Sequence, residues 1–407
     1  MTKLPEIALP PQLKERLAQG HPWVYRTHIP PNVRLPSGAW VRARCGGWSG
    51  YGLWDAERPI AIRIFSERQL PDAGWLRERV RAAWELRAPL REAGCTAYRW
   101  LFGEGDGLPG LTVDRYADFA VAQTYMNGTD QLLEWLVAAL NEVAPLRGIV
   151  LKRRDWGLGT GDWEEHTQSP IPNPQSPDRS VVWGAAPPPN LVVREHGIQF
   201  FADLRAGQKT GLFLDHRENR RFIQELSAGR TVLNCFAYTG AFSLYALRGG
   251  ARTVVSADIG KELDEATAAN VALNGFDAAR HTFVTGDCFE LLNQYVEEGR
   301  QFDLVILDPP SFAKSKQNRF AAARAYTRLN ALALRCVASG GLLATASCTS
   351  QIGPEAFKEL LAAAGASAGK RIQIIHEAGQ PIDHPVPAHF PEGRYLKFVV
   401  GRVGEST

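Results

Sequence analysis

Thr231-Val232-Leu233-Asn234-Cys235-Phe236-Ala237-Tyr238-Thr239-Gly240 reads as an apolar strand running into a glycine turn, and the chain beyond it repeats that rhythm. Ala241 to Leu247 reads as helix, Thr253 to Ala257 as strand, Lys261 to Leu273 as helix and Thr282 to Val284 as strand. Phe302 to Leu307 is the next strand, a helix is predicted over Arg319 to Val337, and Gly341 to Ala346 is a further strand. Short apolar runs alternating with helical stretches predict an α/β fold with a mostly parallel sheet covered on both faces. The ligands of such a sheet sit beyond the carboxyl ends of its strands, so the residues just past each run are the ones to inspect.

The turn after the first strand carries one glycine, Gly240, rather than the three of a dinucleotide fingerprint. Asp258 ends the second strand, where an acidic side chain can accept hydrogen bonds from a ribose, and Asp287 follows the third. Acids at the tips of successive strands suit an adenosine, although each alone also suits a helix N-cap. The fourth strand ends in Leu307-Asp308-Pro309-Pro310-Ser311-Phe312. Two prolines fix φ and remove two donors, so Asp308 and the neighbouring carbonyls are held toward one small site fit for a planar base. The next strand delivers Cys348 to the same edge. Carbon 5 of cytosine is a poor nucleophile until a thiolate adds at carbon 6, so a cysteine there suits methylation at carbon 5. A free cysteine is otherwise a packing residue, which is the reading given to Cys235 and Cys288.

Upstream, the first seventy or so residues alternate in short runs, including Ala39 to Arg44 and Ile60 to Phe65, around Gly46-Gly47 and Gly50, and read as a compact β module. A helix is predicted over Trp75 to Glu92, then strands at Leu111 to Val113 and Phe119 to Thr124, a helix over Asp130 to Val143 and a strand at Gly148 to Lys152. Gly157 to Asn190 is rich in Pro, Gly and Ser and reads as a loop excursion marking a soft boundary. In the β module Arg26, Arg34, Arg42, Arg44, Arg58 and Arg63 interleave with Trp23, Tyr25, Trp40, Trp48, Tyr51 and Trp54. Guanidinium groups fork onto phosphate and rings stack on bases, which suits RNA; the alternative is a small β core under a solvated arginine surface.

Composition narrows the class. With 407 residues, 45% hydrophobic and 22% charged, the chain has globular proportions and the length of two or three domains. Its 46 Lys+Arg against 43 Asp+Glu leave a formal charge of +3, which names no partner. No apolar run approaches the roughly 20 residues that span a bilayer, and no export signal is read at the N-terminus, so a cytoplasmic location is expected. The six cysteines include no CxxC pair, so neither a disulfide framework nor a zinc site is expected.

Taken together, Asp203 through Arg220 (Asp203-Leu204-Arg205-Ala206-Gly207-Gln208-Lys209-Thr210-Gly211-Leu212-Phe213-Leu214-Asp215-His216-Arg217-Glu218-Asn219-Arg220), Asn234 to Gly240, Asp308 to Phe312 and Ser347-Cys348 resemble the class I S-adenosylmethionine-dependent RNA methyltransferases, in the group of bacterial large-subunit ribosomal RNA 5-methylcytosine enzymes. Gly103 to Leu111, Asp114-Arg115-Tyr116, His384-Pro385, Glu392 and Tyr395-Leu396-Lys397 look like that family too, and the resemblance covers nearly the whole chain outside the Gly157 to Asn190 excursion.

The resemblance implies a PUA-like RNA-binding module over residues 1–72, a central α/β domain with the proline-rich excursion over 73–188, and a Rossmann-like methyltransferase domain over 189–407. It implies that Lys209, Thr210, Phe213, Asp215, Arg217, Asn234, Phe236, Thr239 and Gly240 line S-adenosyl-L-methionine, with Asp258 at the ribose, Asp287 at the adenine and Asp308 bridging cofactor and target base. Pro309, Pro310 and Phe312 are expected at the base, and Cys348 as nucleophile with Asp308 beside it. A second cysteine, common near the Asp-Pro step of other RNA cytosine methyltransferases, is replaced here by Pro310 or Ser311, so the base that removes the carbon 5 proton is unassigned. The expected partner is 23S ribosomal RNA, without membrane or metal, and a homodimer is compatible with the sequence. Methylation of a guanine or adenine nitrogen, and a non-catalytic RNA-binding assembly factor, are the alternatives.

Overall fold

The computed structural model describes residues 4–153, 179–205, 207, 209–312 and 318–405. Contacts divide the chain into two units, one of Met1–Val193, Ala202–Leu214 and Ile382–Gly393, the other of Arg194–Phe201, Asp215–Pro381 and Arg394–Thr407.

In the first unit, the strands Glu6–Ala8, Trp40–Cys45, Trp48–Trp54, Ile60–Ser66 and Trp23–Tyr25 form one sheet in that spatial order. Alternate residues of these strands, among them Val41, Ala43 and Ile62, turn inward around Ile7 and Val24. A second sheet runs Arg179–Gly184, Gly148–Arg153, Phe119–Thr124, Leu111–Tyr116, Ala97–Phe102. Helices Ala73–Leu86 and Asp130–Val143 cover it, contributing Leu76, Val80, Leu132, Leu136 and Leu140 to its core. The first of these helices is capped by Asp72, whose carboxylate accepts from the Trp75 amide. Most of the proline-rich excursion lies outside the described residues, but its end is not a loop: Arg179–Gly184 is a strand paired antiparallel with Gly148–Arg153. The run Val181-Val182-Trp183 has the branched and aromatic residues that fit a pleated edge, and the prolines on either side concealed it.

Two runs singled out in the sequence prove to be internal braces of this unit. Arg87 is fully buried and forks onto Asp106 at 2.6 and 2.8 Å while donating to the Asp383 carbonyl at 2.8 Å. Gly105 packs so closely on the Pro385 carbonyl that a β-carbon there would lie 2.1 Å from its oxygen. The Gly103 to Leu111 run and His384-Pro385 are therefore two halves of one packed structure.

In the second unit, seven strands form a single sheet among the described residues: β1 (Thr231–Cys235), β2 (Thr253–Asp258), β3 (His281–Thr285), β4 (Phe302–Leu307), β5 (Val337–Ser347), β6 (Lys370–Ala378) and β7 (Lys397–Glu405). Their order is β3-β2-β1-β4-β5-β7-β6; β1 to β5 are parallel, and β7 runs antiparallel to both of its neighbours. The helices are α1 (Arg217–Leu226), α2 (Ala241–Arg248), α3 (Leu263–Leu273), α4 (Cys288–Glu297), α5 (Arg319–Arg335) and α6 (Pro354–Ala368). Leu233, Val305, Leu307 and Leu343 pack against Leu292 of α4 and Leu329 and Ala333 of α5. The alternation read from Thr231 onward is thus the parallel half of the sheet, whereas the antiparallel pair β6 and β7 went unread. The parallel half also brings the ends of β1, β2, β4 and β5 to one edge.

Candidate active site

The loop after β1 concentrates left-handed backbone. Phe236, Tyr238 and Gly240 all adopt left-handed φ, at 60°, 49° and 79°. Non-glycine residues there cost free energy that surrounding structure must supply, and such outliers gather at ligand clamps. Here the supports are explicit. The Tyr238 amide donates to Asp258 Oδ2 at 2.9 Å, the Ala237 amide to the Ala257 carbonyl at 3.0 Å, and the Phe236 amide to Cys288 Sγ at 3.4 Å. A β-carbon on Gly240 would meet Thr267 Cγ2 at 2.4 Å, so both its φ and its space demand glycine. Asn234 is buried, donates to Ser243 Oγ at 2.9 Å, and leaves Oδ1 with no hydrogen-bond partner among the described residues. The Thr239 carbonyl accepts from Asn270 Nδ2 at 3.1 Å.

Asp258 is half-buried at the end of β2 and braces both this loop and its own turn, through Gly260 N at 3.3 Å. Asp287 is exposed and caps α4, its Oδ1 accepting from Phe289 N at 2.8 Å and Glu290 N at 3.1 Å. The capping role weighed for it in the sequence is therefore real.

At the neighbouring strand ends, β4 and β5 pair with Leu307 opposite Thr345, so Asp308 and Cys348 emerge side by side. Of the six cysteines five are buried, and Cys348 alone is half-buried. Its Sγ lies 3.9 Å from the Pro309 carbonyl oxygen, so the thiol and the Asp-Pro-Pro turn meet. Pro309 is buried and acts as a brace, Pro310 is exposed, and Phe312 packs on Tyr326 and Phe289 with ring centres 4.8 and 6.1 Å away. Burial and the adjoining Cys288 thiol push Cys235 well up, and burial pushes Cys336 up to about 11, so neither furnishes a ready thiolate.

Three residues that the sequence reading did not place at this edge stand around it. His216, 2% exposed, lies with Nε2 3.2 Å from Asp308 Oδ1, too poorly aligned for a hydrogen bond, while its Nδ1 meets Asn219 Nδ2 at 3.0 Å. Tyr326, whose phenol burial raises to about 12, faces Ser347, Cys348 and Asp308. Lys397 lies across from Ser347 on β7. Asp215 is buried and accepts from the Tyr395 hydroxyl at 2.7 Å, and Arg217 is fully buried with Nε 3.1 Å from Glu218 Oε1.

Lys209, Thr210 and Phe213 belong to the first unit. There the Thr210 hydroxyl donates to Asp114 Oδ2 at 2.7 Å and meets the Tyr116 hydroxyl at 2.7 Å, and the Lys209 ammonium stands 4.1 Å from the centre of the Phe213 ring. In that unit the basic-aromatic cluster divides. Trp48 and Trp54 are core, Arg26 is occupied by the Asp55 and Arg58 carbonyls, and Arg63, 6% exposed, donates to the Tyr125 carbonyl at 3.2 Å. Arg34 and Arg44 remain on the surface. A groove lined by Arg324, Arg328 and Arg335 of α5 contains none of the predicted site residues.

Among the described residues no group of three or more His, Cys, Asp or Glu is arranged to hold a metal ion, and no helix is long and apolar enough to cross a membrane.

A parallel sheet with a strained loop after its first strand, carboxylates following the next two, and an acid and a thiol on adjacent strand ends defines an α/β enzyme scaffold whose ligands sit beyond the carboxyl ends of the strands. Residues 171–385 match the S-adenosylmethionine-dependent methyltransferase family profile, and residues 7–67 match a PUA-like domain. The chain is 36% identical over 400 residues to ribosomal RNA large subunit methyltransferase I of Aeromonas salmonicida, covering 96% of this chain and 97% of that one. It is 35% identical over 405 residues to the protein of the same name from Shewanella denitrificans, covering 98% and 99%. A solved chain described as a SAM-dependent methyltransferase from Streptococcus mutans shares the fold, with a TM-score of 0.83, 23% identity and coverage of 98% and 100%. This chain belongs to the S-adenosylmethionine-dependent methyltransferases, in the family whose members carry the name ribosomal RNA large subunit methyltransferase I.

The residues present fit the cofactor. The left-handed loop leaves no room for a β-carbon at Gly240, Asn234 holds an acceptor without a donor, and Asp258 and Asp287 stand at the end of β2 and just past β3.

Proposed function

We propose that the protein methylates carbon 5 of a cytosine in 23S ribosomal RNA through a thioether adduct on Cys348. The observation that carries this reading is the half-buried thiol 3.9 Å from the Pro309 carbonyl, beside Asp308. The Phe236 to Gly240 loop, Asn234, Asp258 and Asp287 hold S-adenosyl-L-methionine, with Asp215 and Arg217 supporting from the start of α1. Bound there, the cofactor supplies an electrophilic methyl group.

The target base is first flipped from its stack, as enzymes acting on a base require. Asp308 orients it, its carboxyl group hydrogen-bonding the edge of the base as charge develops on the ring. Cys348 adds to carbon 6 with its thiolate electron pair, which makes carbon 5 nucleophilic; once carbon 5 has taken the methyl group, its proton passes to a base and the carbon 6–sulfur bond breaks to return the thiolate. Pro309 fixes the carbonyl beside the thiol, and Pro310 and Phe312 border the base. Aligning the reactants before reaction is worth several kcal/mol of the barrier by effective-molarity arguments, about 7 or more at the upper end. This reading places the protein in the cytoplasm with its RNA, and it admits a homodimer, which sedimentation of the purified protein tests.

Nucleoside mass spectrometry of 23S ribosomal RNA from cells with and without the protein tests the proposal. One 5-methylcytidine lost on deletion and restored by wild type but not by Cys348→Ala is the expected result. Loss of a methylated guanine or adenine instead, with Cys348→Ala still active, overturns it.

A further inference from the structure

Lys397 is a buried cation whose place the proposed chemistry has not yet used. It opens β7, directly opposite Ser347 in the antiparallel register, so the cross-strand pairing brings its side chain to the residue that precedes Cys348. It is 5% exposed. Its ammonium donates to the Tyr395 carbonyl at 2.9 Å and to the Thr349 carbonyl, one acceptor on each side of the strand pair, and among the described residues no carboxylate pairs with it. Two neutral carbonyls fix the position of a buried charge without cancelling it, which is an expensive arrangement for a side chain that could reach solvent. The third N–H is left for another group.

The groups around the thiol are of three kinds. Asp308, at the end of β4, brings no positive charge, and Tyr326, from α5, is a phenol held neutral by burial. Lys397, from β7, is the cation, opposite Ser347 and anchored on the Thr349 carbonyl so that it flanks Cys348 on both sides in sequence; burial brings it down to about 8 while the sulfur's charge works in the opposite direction. A positive charge held close to sulfur at low effective dielectric favours its ionised form.

Resting on the reading of Cys348 as the nucleophile, we propose that Lys397 is a positioning residue whose ammonium, anchored by the Thr349 and Tyr395 carbonyls, is the counter-charge that holds the Cys348 thiol ionised for attack. The Sγ proton passes to solvent water, and the electron pair left on sulfur faces the ammonium until it forms the bond to carbon 6. The carbonyl anchors keep the cation at the sheet edge, where it does not compete for the base.

Alkylation of the full-length protein by iodoacetamide, with peptide mass spectrometry at residue 348 across pH 6 to 10, tests this without RNA or cofactor. The other five cysteines are buried, so the labelled peptide reads one site. Lys397→Gln keeps an amide that can donate to the same two carbonyls but removes the charge. It is expected to move the rate–pH midpoint upward and to slow alkylation at pH 7 about tenfold, as a thiol returning toward its ordinary value would. Lys397→Arg is expected to keep the low midpoint. Lys397→Met, unbranched and one heavy atom shorter than lysine, leaves no buried charge and serves if the glutamine variant does not fold. Superimposable profiles for wild type and a folded charge-removing variant overturn the proposal. Because the readout is the thiol alone, that failure is distinguishable from failure of the cytosine reading, which the nucleoside analysis reports.

Discussion

His216 Nε2 and Asp308 Oδ1 stand 3.2 Å apart, linking the residue just before α1 to the carboxylate just past β4. The ring is wedged between Phe242 and Phe398, with centres 5.4 and 6.0 Å away, so its direction is set by packing and not by the carboxylate. At that distance the imidazole can exchange a proton with Asp308 once the carboxylate turns into line with it, as the base's ring nitrogen gains charge. His216→Phe preserves the aromatic packing and removes the nitrogen. Its methylation rate in single turnover is expected to fall at least about tenfold, within the range for one acid–base group, with affinity for S-adenosylhomocysteine unchanged. Loss of cofactor affinity in parallel with rate would assign His216 to cofactor binding instead.

The two acids expected at the adenosine do structural work as well, and substitution can separate the roles. Asp287→Ala removes the α4 cap and is expected to cost about 1 kcal/mol of stability as well as cofactor affinity; Asp287→Ser retains a capping oxygen and should lose the affinity alone. Asp258→Ala removes the acceptor for Tyr238 N and is expected to weaken S-adenosylhomocysteine about ten- to hundredfold by calorimetry, the range for hydrogen bonds to a charged group.

Arg220 Nη2 donates to both carboxylate oxygens of Glu195, at 2.8 and 2.5 Å, with both side chains essentially excluded from solvent. Arg220→Met strands a buried carboxylate and is expected to cost about 3–5 kcal/mol in denaturant titration. Adding Glu195→Leu should recover most of that loss, because the penalty lies in the unpaired charge and not in a missing contact.

Lys397 also predicts how stability depends on pH. Its folded value is about 8 against 10.5 for the ordinary group, so between those limits the unfolded chain binds more protons than the folded one. Stability contributed at this site therefore rises with pH from about 8 to about 10.5, and carrying the charge costs on the order of 3 kcal/mol below that window. Lys397→Met should be more stable than wild type at pH 7 and show the advantage fade by pH 10.5 in paired urea titrations. A constant difference across that range would mean that the lysine titrates normally.

The parallel half of the catalytic sheet was legible because Val232, Leu233, Val254, Val255, Leu304 and Ile306 are buried on both faces and leave dense apolar runs. Asp258, Asp308 and Cys348 were legible for the same reason, since each follows such a run. The strand β6 was not, because Lys370, Arg371, Gln373, His376 and Glu377 interrupt its isoleucines at a solvated edge. Missing the antiparallel pair meant that Lys397 was read only as part of a family-like run; its burial arises from its register with Ser347, which no local pattern carries. His216 was quoted within a motif but had no partner in sequence, because Asp308 lies on another strand. In the N-terminal module the pattern showed which residue types were present but not where their polar ends went, so Arg26 and Arg63 looked like RNA contacts although protein carbonyls occupy them.

Incubating the protein and S-adenosylmethionine with ribosomal RNA that carries 5-fluorocytosine puts the central claim to the most direct test, because fluorine at carbon 5 cannot leave as a proton does and the adduct accumulates. Wild type should form a denaturation-resistant RNA complex whose digest carries the base on Cys348, and Cys348→Ala should form none. A wild-type enzyme that methylates this RNA without any trapped complex, or a Cys348→Ala protein that traps as well as wild type, would contradict the assignment of that sulfur as the nucleophile.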